Sequence, residues 1–470
     1  MTSANKQNNY NSFLESAISS EGQIIPTKGV LDWIKEQNKK VAVNIQRTSF
    51  SKLKGWYADD RRIFHETGKF FSIDGIRVIT NWSKIKQWDQ PIINQPEVGY
   101  LGFIVKEING VLHFLLQAKI EPGNVNYVQL SPTLQATRSN YSQVHRGKVP
   151  LYLDYFKNAS EAQILLDQLQ SEQGARFLKK RNRNIIIKVE DEIPLFDNFI
   201  WVTLGQIKNL MQNDNIVNMD TRTVISGIQF GNNHLELSSY CKSLSKHKAA
   251  LLKSAITCDE AYNSIDRIIT FLTKLKSEND LEVEKIPLNN LNEWTYIDKE
   301  IAHNEGKYFK VIAVDVEIGN REIVKWSQPM IEPAQEGLCV FVCKEIDGIL
   351  HFAVQAKLEC GNLDIVELAP TVQCLTGNYR QTKEGALPFL DYVLNVEKDQ
   401  IVYDTLQSEE GGRFYREQNR NMIVISGNEI PDELPEKYIW MTLNQLYTFL
   451  KFNNYLNIQA RSLIASISFV

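Results

Sequence analysis

The chain has 470 residues, 43% of them hydrophobic and 23% charged, with a formal net charge of −4. These values are typical of a globular protein large enough for two domains, and they argue against binding to a nucleic-acid backbone. No apolar run reaches the roughly 18–20 residues that cross a bilayer, and the polar N-terminus lacks the apolar core of a signal peptide, so we expect a cytoplasmic protein with no membrane or nucleic-acid partner.

Taken in chain order, the first half is predicted to be mainly β. Residues 1–22 are polar and expected to be frayed, and GVLDWIKEQN predicts a short helix. KFFSIDGIRVIT and YLGFIVKEINGVLHFLLQAKI alternate as strands do, and Asn109-Gly110 predicts a tight hairpin. Two helices are predicted to follow, around Ser160–Asn182 and Leu204–Asn213.

The second half repeats the first at an offset of 238 residues. HFLLQAKIEPGNVNYVQLSPTLQATRSNY (113–141) matches HFAVQAKLECGNLDIVELAPTVQCLTGNY (351–379) at 15 of 29 positions without a gap. A unit this long indicates a duplicated domain rather than a solenoid repeat. The stretch between the copies lacks proline and glycine and predicts one or two helices. We therefore predict two domains, 24–231 and 282–470, joined by a helical linker, 232–281, and an α+β fold class with mixed or antiparallel sheets flanked by helices.

Polar residues recur on one face of the strand HFLLQAKIE. Because alternate side chains share a face, the polar face carries His113, Gln117, Lys119 and Glu121. It could be a solvated sheet surface, but both copies keep all four residues while agreeing at only about half of this window, which favours function. The next strand alternates Gln129, Ser131, Thr133, Gln135 and Thr137. These neutral donors and acceptors suit a sugar or a nucleobase, although an exposed strand is the alternative.

Several other chemistries are not supported. The phosphate-loop, nucleophile-elbow, zinc-protease and dinucleotide-binding motifs are absent. The six cysteines follow no framework spacing and are expected to be small core residues. The arginines of SEQGARFLKKRNRN could bind a diphosphate in bidentate fashion, although a charged helix face is the more common outcome.

Trp56, FHETGKFFSIDG, QAKIEPGNVNYVQLSPTLQATRSNY and QSEQGARF together resemble the sugar-nucleotide 2,3-dehydratases of bacterial deoxysugar pathways. The resemblance covers both repeats and implies a Nudix-like fold in each, a homodimer, and a dTDP-linked 4-keto-6-deoxyhexose as substrate. The carboxylate box with which Nudix hydrolases bind Mg²⁺ is absent, so we expect no metal site. Elimination of water needs no redox cofactor, and no cofactor is expected.

Such an elimination requires a base for the C3 proton, donors for the oxyanion on O4, and an acid for the C2 hydroxyl. The candidates for these roles, which the sequence does not apportion, are Glu121, Lys119, His113, His145 and His65. The predicted substrate-binding residues are Trp56, Trp88, Gln117, Asn124, Ser131, Thr133, Gln135, Thr137, Arg138, Asn140, Tyr141, Glu172, Arg176 and Arg183. The counterpart site in the second repeat comprises Gln355, Lys357, Glu359, Asn362, Gln373, Asn378, Tyr379 and Arg413.

The two copies differ at several positions of the repeated stretch. Ser131, Thr137 and His145 of the first copy are replaced by Ala369, Leu375 and Lys383. We therefore predict that the first repeat forms the catalytic pocket and that the second site is degenerate. A pocket shared between repeats or subunits is left open. A Nudix-type sugar-nucleotide hydrolase and a non-catalytic sugar-nucleotide-binding protein are the alternative functions.

Overall fold

The structure, a computed structural model, describes residues 3–137, 149–231, 244–256, 260–319, 323–378 and 387–469. In the first repeat the helices are α1 Ser3–Ile18, α2 Thr27–Lys39, α3 Leu153–Lys157, α4 Leu204–Leu210 and α5 Met219–Ile225. The strands are β1 Val43–Thr48, β2 Trp56–Ala58, β3 Arg62–His65, β4 Ser72–Thr80, β5 Gln87–Asn94, β6 Gly99–Ile108, β7 Val111–Ile120, β8 Val128–Ser131, β9 Leu134–Ala136, β10 Ile164–Ser171, β11 Arg181–Lys188 and β12 Phe199–Thr203.

The second repeat has the same order of elements. Its helices are α6 Lys246–Ile256, α7 Ile265–Glu278, α8 Leu390–Leu394, α9 Leu443–Leu450 and α10 Ile458–Ser466. Its strands are β13 Leu281–Ile286, β14 Trp294–Ile297, β15 Glu300–His303, β16 Phe309–Ile318, β17 Lys325–Pro333, β18 Gly337–Ile346, β19 Ile349–Lys357, β20 Glu367–Ala369, β21 Val372–Leu375, β22 Ile401–Ser408, β23 Gln418–Ser426 and β24 Tyr438–Thr442.

Each repeat contributes a large mixed sheet. In the first, the order is β10-β11-β6-β7-β12, with β8 added to β7 and β9 to β6; in the second, it is β22-β23-β18-β19 with β20, β21 and β24 added. The β6–β11 and β18–β23 pairs are parallel and the others antiparallel. The predicted α+β class and the internal duplication are confirmed.

The smaller sheets exchange strands between the repeats. Strand β1 pairs with β16 of the second repeat, with Val43 opposite Ile318, and β13 pairs with β4 of the first repeat, with Leu281 opposite Thr80. Backbone hydrogen bonds of a sheet therefore join the two halves in both directions. The two repeats therefore share their smaller sheets and are joined by more than the segment that links them in sequence.

Local sequence explains several element boundaries. Asn109 and Gly110 both have positive φ (51° and 80°), as a two-residue type I′ hairpin requires, so the predicted β6–β7 hairpin is confirmed. Thr203 caps α4 by accepting from the Gln206 N–H, and the Gln206 side chain returns a bond to the Thr203 N–H. The helices predicted at GVLDWIKEQN and at Leu204–Asn213 are likewise confirmed as α2 and α4.

Two sequence expectations are wrong. Ser160–Asn182 is not a helix but comprises all of β10, a loop and the start of β11, because pairing with the sheet prevails over local propensity. Residues 3–18 are not frayed: they form α1, whose Phe13, Leu14 and Ala17 are buried against the large sheet. The helices predicted in the linker, α6 and α7, occupy in the second repeat the places that α1 and α2 occupy in the first.

Candidate active site

A cavity of about 850 Å³ opens between the two repeats. The first repeat supplies the end of β7, strand β9, the loop from β10 to β11, and the start of α5. The second repeat supplies β16, β17 and the loop after β22, and the exchanged strand β1 completes the wall. The cavity is therefore composite, and neither repeat encloses it alone.

The turn after β7 brings the repeats into direct backbone contact. The Gly123 N–H donates to the Gly411 carbonyl at 2.7 Å. A Cβ atom at position 123 would overlap the backbone of the second repeat, so this approach requires glycine. The contact carries Glu410 of the second repeat towards Glu121 at the end of β7.

One end of the cavity is buried and lined by four carboxyl groups. Three of them lie just after a strand: Glu121 after β7, Glu172 after β10, and Glu410 two residues after β22. The fourth, Asp220, lies in the first turn of α5. Among the described residues, no group of three His, Cys, Asp or Glu side chains could hold a metal ion. Because the four carboxyl groups influence one another electrostatically in the buried end of the cavity, the cluster suits acid and base chemistry.

Glu121 is held on one side only. Its Oε1 accepts a hydrogen bond from the Gln135 Nε2 at 2.9 Å and lies 3.8 Å from the Lys119 Nζ. The side chain of Gln135 is in turn fixed by the Ser131 hydroxyl, which donates to its Oε1 at 2.9 Å. Glu121 Oε2 is buried and has no hydrogen-bond partner among the described residues, so one oxygen of this cavity-lining carboxyl group has hydrogen-bonding capacity that the described residues do not use.

The other carboxyl groups are shifted towards the protonated form. Burial, together with the neighbouring Glu121 and Glu172 and against the opposing charge of Arg413, raises the pKa of Glu410 to about 8. Burial and the nearby Glu410, Glu121 and Glu172 raise the pKa of Asp220 well above its ordinary value. Burial also raises the pKa of Glu172, against the influence of nearby cations. The site thus combines three carboxyl groups whose pKa values are raised with one carboxyl group, Glu121, that is paired to a lysine.

Cations balance this end of the cavity. Lys180 is 5% exposed, its Nζ donates to the Glu97 carbonyl, and burial lowers its pKa to about 8 against the pull of Glu172 and Glu410. Lys119 donates to the Gln135 carbonyl at 3.4 Å. These groups place positive charge at the carboxyl end of the cavity, where it can stabilise an anion.

The opposite end of the cavity is open and aromatic. Trp56 packs edge-on against His65 (5.3 Å between centroids) and Phe71 (4.9 Å), and its Nε1 donates to the Ser327 carbonyl at 2.7 Å. Arg413 lies over the Phe71 ring at 4.1 Å and lowers the pKa of Glu410. Arg413 therefore lies between the aromatic mouth and the carboxyl end.

The structure brings part of the predicted site together. The predicted residues that line the cavity are Trp56, His65, Lys119, Glu121, Gln135, Thr137, Glu172 and Arg413. The predicted residues outside the cavity lining are His113, Trp88, Gln117, Asn124, Ser131, Thr133, Arg176, Arg183, Gln355, Lys357, Glu359, Asn362 and Gln373. The predicted residues that fall outside the described part of the chain are Arg138, Asn140, Tyr141, His145 and Tyr379, together with the side chain of Asn378.

His113 is not placed for proton transfer in this cavity. It lies eight residues before Glu121 along an extended strand, roughly 26 Å away at about 3.3 Å per residue. It is fully buried, its Nδ1 is 2.8 Å from the Val111 carbonyl, and burial lowers its pKa. Its counterpart His351 accepts a hydrogen bond from the Tyr262 N–H at 3.0 Å, which indicates a structural role for this position.

Three other predicted residues have structural partners instead of a place in the cavity. Arg183 forms a bidentate pair with the half-exposed Asp167, at 2.7 and 2.6 Å. Thr133 accepts from the Ile104 N–H at 3.0 Å and so ties β6 to the start of β9. Trp88 packs beside the small apolar cluster around Cys360. These residues were predicted because both repeats share them, and such identity can reflect the shared fold as well as a shared function.

The equivalent position in the second repeat keeps only part of this chemistry. Glu359 accepts from the Gln373 Nε2 at 2.9 Å, and its Oε2 is buried without a partner in the described structure, which matches Glu121. In place of Asp315 and Ser327, which line the cavity, the first repeat presents Arg77 and Asp89 as a bidentate ion pair at 2.9 and 2.8 Å. At the equivalent position, Arg77 thus replaces the Asp315 carboxylate and Asp89 replaces the Ser327 hydroxyl, and the two form an ion pair.

Sequence reasoning missed three charged residues of the buried end: Lys180, Asp220 and Glu410. Each differs between the copies, since their counterparts are Glu417, Gln459 and Gln173. Extending the comparison of copies beyond residues 113–145 would have found them. The comparison would not have revealed that Glu410 joins a cavity with first-repeat residues, because that depends on how the repeats pack.

The family model for NDP-hexose 2,3-dehydratases matches residues 27–228 and again residues 265–467. This chain belongs to that family. It is a sugar-nucleotide 2,3-dehydratase, a hydro-lyase, and the family resemblance seen in the sequence is confirmed. The two matched regions coincide with the two copies of the fold.

Relatives of the 2,3-dehydratase match almost end to end. A protein of Saccharopolyspora spinosa is 44% identical over 465 residues, which cover 98% of this chain and 95% of the relative. Proteins of Amycolatopsis orientalis and Streptomyces violaceoruber are 39% and 40% identical, over 96% and 95% of this chain and 92% and 98% of their own lengths. All three are named dTDP-4-dehydro-6-deoxy-alpha-D-glucopyranose 2,3-dehydratase.

A solved ADP compounds hydrolase resembles part of the 2,3-dehydratase, covering 30% of this chain and 75% of its own at 16% identity and a TM-score of 0.19. So low a score carries no argument about fold or function. Within the described ranges, none of the helices has the length and apolarity that crossing a bilayer requires.

Proposed function

We propose that this chain converts dTDP-4-keto-6-deoxyglucose into a 3,4-diketo-2,6-dideoxy sugar nucleotide by removing the C3 proton and the C2 hydroxyl. The observation that carries the proposal is the buried carboxyl end of the cavity, where groups with raised pKa lie beside a lysine-paired carboxylate. An elimination of water needs such an acid and such a base together. The names of the three relatives support the substrate.

The cavity suggests how the substrate lies in it. Exposed polar residues and aromatic rings at the mouth suit a nucleoside, since bases stack on aromatic faces. Arg413, between the mouth and the carboxyl end, suits the diphosphate that joins the nucleoside to the sugar. The sugar then occupies the buried end, where the chemistry is shielded from water.

Glu121 is the proposed general base. The C4 ketone acidifies the C3 hydrogen, and Glu121 Oε2 takes that proton while the C3–H electrons form an enediolate with negative charge on O4. Lys119, whose Nζ is 3.8 Å from Glu121 Oε1, is placed beside the base to stabilise that oxyanion.

Glu410 is the proposed general acid. The enediolate reforms the C4 ketone, its electrons make a C2=C3 double bond, and the C2–O bond breaks as Glu410 protonates the departing hydroxyl. The resulting C3 enol takes a proton at C2 and loses its hydroxyl proton to become a ketone. Because the pKa of Glu410 is about 8, this group holds its proton near neutral pH. Asp220 is the alternative acid.

Solvent exchange in D₂O separates these roles. With dTDP-4-keto-6-deoxyglucose and mass detection, the wild type should lose one water and incorporate deuterium. Glu410→Gln and Asp220→Asn test the acid, and Glu121→Gln tests the base. Loss of the acid should stop dehydration but leave the exchange of the C3 hydrogen for deuterium, whereas loss of the base should stop both. Wild-type exchange by Glu121→Gln would remove Glu121 as the base.

The same assay addresses the alternatives. Release of a nucleotide would indicate a sugar-nucleotide hydrolase, and unchanged substrate with measurable binding would indicate a non-catalytic binding protein. The homodimer and the cytoplasmic location stay predictions, and light scattering on the purified protein tests the first of them.

A further inference from the structure

Two arginines lie at the centre of the molecule, each on a short helix packed against the other. Arg222 on α5 and Arg461 on α10 are both 1% exposed, and the two helices are buried along their whole length. Each guanidinium crosses to the other repeat. Arg222 donates to the Ser408 carbonyl and the Ser462 hydroxyl, and Arg461 donates to the Ser171 carbonyl and, at 2.9 Å, to the Thr223 hydroxyl.

The carbonyl that Arg222 holds is close to the proposed acid. Ser408 is the last residue of β22, and Glu410 follows two residues later in the loop that lines the cavity. Helix α5 also carries Asp220, two residues before Arg222. Helix α5 therefore positions both carboxyl groups whose pKa is raised most clearly. Asp220 is part of the helix, and Glu410 is held through the contact between Arg222 and the Ser408 carbonyl.

We propose that Arg222 is a positioning residue that fixes Glu410 relative to Asp220 and so holds the second repeat's acid in the first repeat's cavity. The proposal rests on the function proposed above. A guanidinium suits the role because its fork can hold a carbonyl and a hydroxyl at once, which a lysine ammonium on a flexible stem does less rigidly. Arg222 is not among the residues that line the cavity, so its proposed influence on turnover passes through Ser408.

The charges facing Glu410 make its titration a reporter of this placement. They come from both repeats and comprise Arg413, Glu121, Glu172, Lys180 and Asp220. Since burial is the main cause of its raised pKa, a loop freed from Arg222 should move Glu410 towards water. The limb of the pH–rate profile that reports the acid should then move to lower pH.

The test uses the full-length protein with dTDP-4-keto-6-deoxyglucose. We expect Arg222→Met to lower kcat roughly 100-fold, the size of loss that a misplacement of about 1 Å can produce, with KM changed much less. Arg222→Lys should recover part of kcat, and its acid limb should still be displaced to lower pH. Ser462→Ala removes one acceptor but keeps the Ser408 contact, and should keep kcat within about twofold.

A stability control separates positioning from general weakening. Val424→Ala removes packing in the core of the second large sheet, away from the cavity, and should lower the melting temperature without moving the pH profile. If Arg222→Met does not fold, Arg222→Lys decides the question: a wild-type kcat and pH profile would overturn the proposal. If the wild type itself does not remove water from dTDP-4-keto-6-deoxyglucose, the proposed function fails. If the wild type turns over and the Glu410→Gln and Asp220→Asn variants turn over equally well, the function stands and the role of Arg222 in placing an acid fails.

Discussion

Glu121 and Glu359 form a matched pair in which one position should matter for turnover and the other should not. Both glutamates lie just beyond equivalent strands, β7 and β19, both are buried (4% and 6% exposed), and both accept from a glutamine Nε2 at 2.9 Å. They differ in what faces them. Glu121 lines the cavity with Asp220 and Glu410, whereas the equivalents near Glu359 are glutamines.

The expected size of the effect follows from the role of each group. A positioned general base contributes about 10²- to 10⁴-fold, which is about 3 to 5 kcal/mol at about 1.4 kcal/mol per factor of ten. Glu121→Gln should therefore lower kcat by at least about 100-fold, and Glu359→Gln should leave it within about twofold. Glutamine keeps the shape of the side chain and the oxygen that accepts from Gln135 or Gln373, so the two variants should lose similar, small amounts of stability.

Steady-state turnover followed by mass, with thermal melts of the same samples, measures both effects. Equal losses of kcat from the two substitutions would refute the argument that one composite cavity carries the reaction. A loss of kcat in Glu121→Gln that merely follows a lower melting temperature would refute the assignment of Glu121 as the base. The expected result for Glu121→Gln is lost turnover with a small loss of stability that matches that of Glu359→Gln.

Two further predictions concern Glu410 and Arg183. The folded-state pKa of Glu410, about 8, lies above its ordinary value of 4.5, so its contribution to stability is full below about pH 4.5 and lost as the pH rises through 8. Glu410→Gln does not titrate, so its melting temperature should rise relative to the wild type between pH 5 and 9, and parallel curves would contradict the buried, protonated acid. Arg183→Ala should cost less than about 1 kcal/mol, because its pair with Asp167 is partly exposed, and should leave turnover unchanged; a large loss of kcat would return Arg183 to the site.

Residue patterns within one repeat could be predicted from the sequence, and contacts between repeats could not. The alternation of HFLLQAKIE correctly placed Lys119 and Glu121 on the polar side of β7, and Asn109-Gly110 fixed its register. The same alternation also selected His113, because a period of two gives the face of a strand but not which end of it meets a cavity. The helix predicted at Ser160–Asn182 failed because the strands there are set by pairing with residues far away in the chain.

The packing of the repeats accounts for what was missed at the site. Glu410 and Glu121 are 289 positions apart in the sequence, and they meet only because the turn at Gly123 contacts Gly411 and the repeats exchange strands. No periodicity within a single copy records such a contact. A charge that differs between copies is the signal that remains, as with Asp220 and Gln459.

The differences between copies also explain why one cavity suffices. The first copy has Asp220 and Lys180 but has Gln173 where the second copy has Glu410. The second copy has Gln459 and Glu417 at the positions of Asp220 and Lys180. Because the loop after β22 reaches the cavity of the first repeat, Glu410 of the second copy lines it together with Asp220 and Lys180 of the first. The base-like arrangement around Glu121 survives in both copies, since it depends only on contacts within a repeat. Each half therefore lacks charged groups that the other half supplies, and an isolated first repeat would carry the proposed base Glu121 without the proposed acid Glu410.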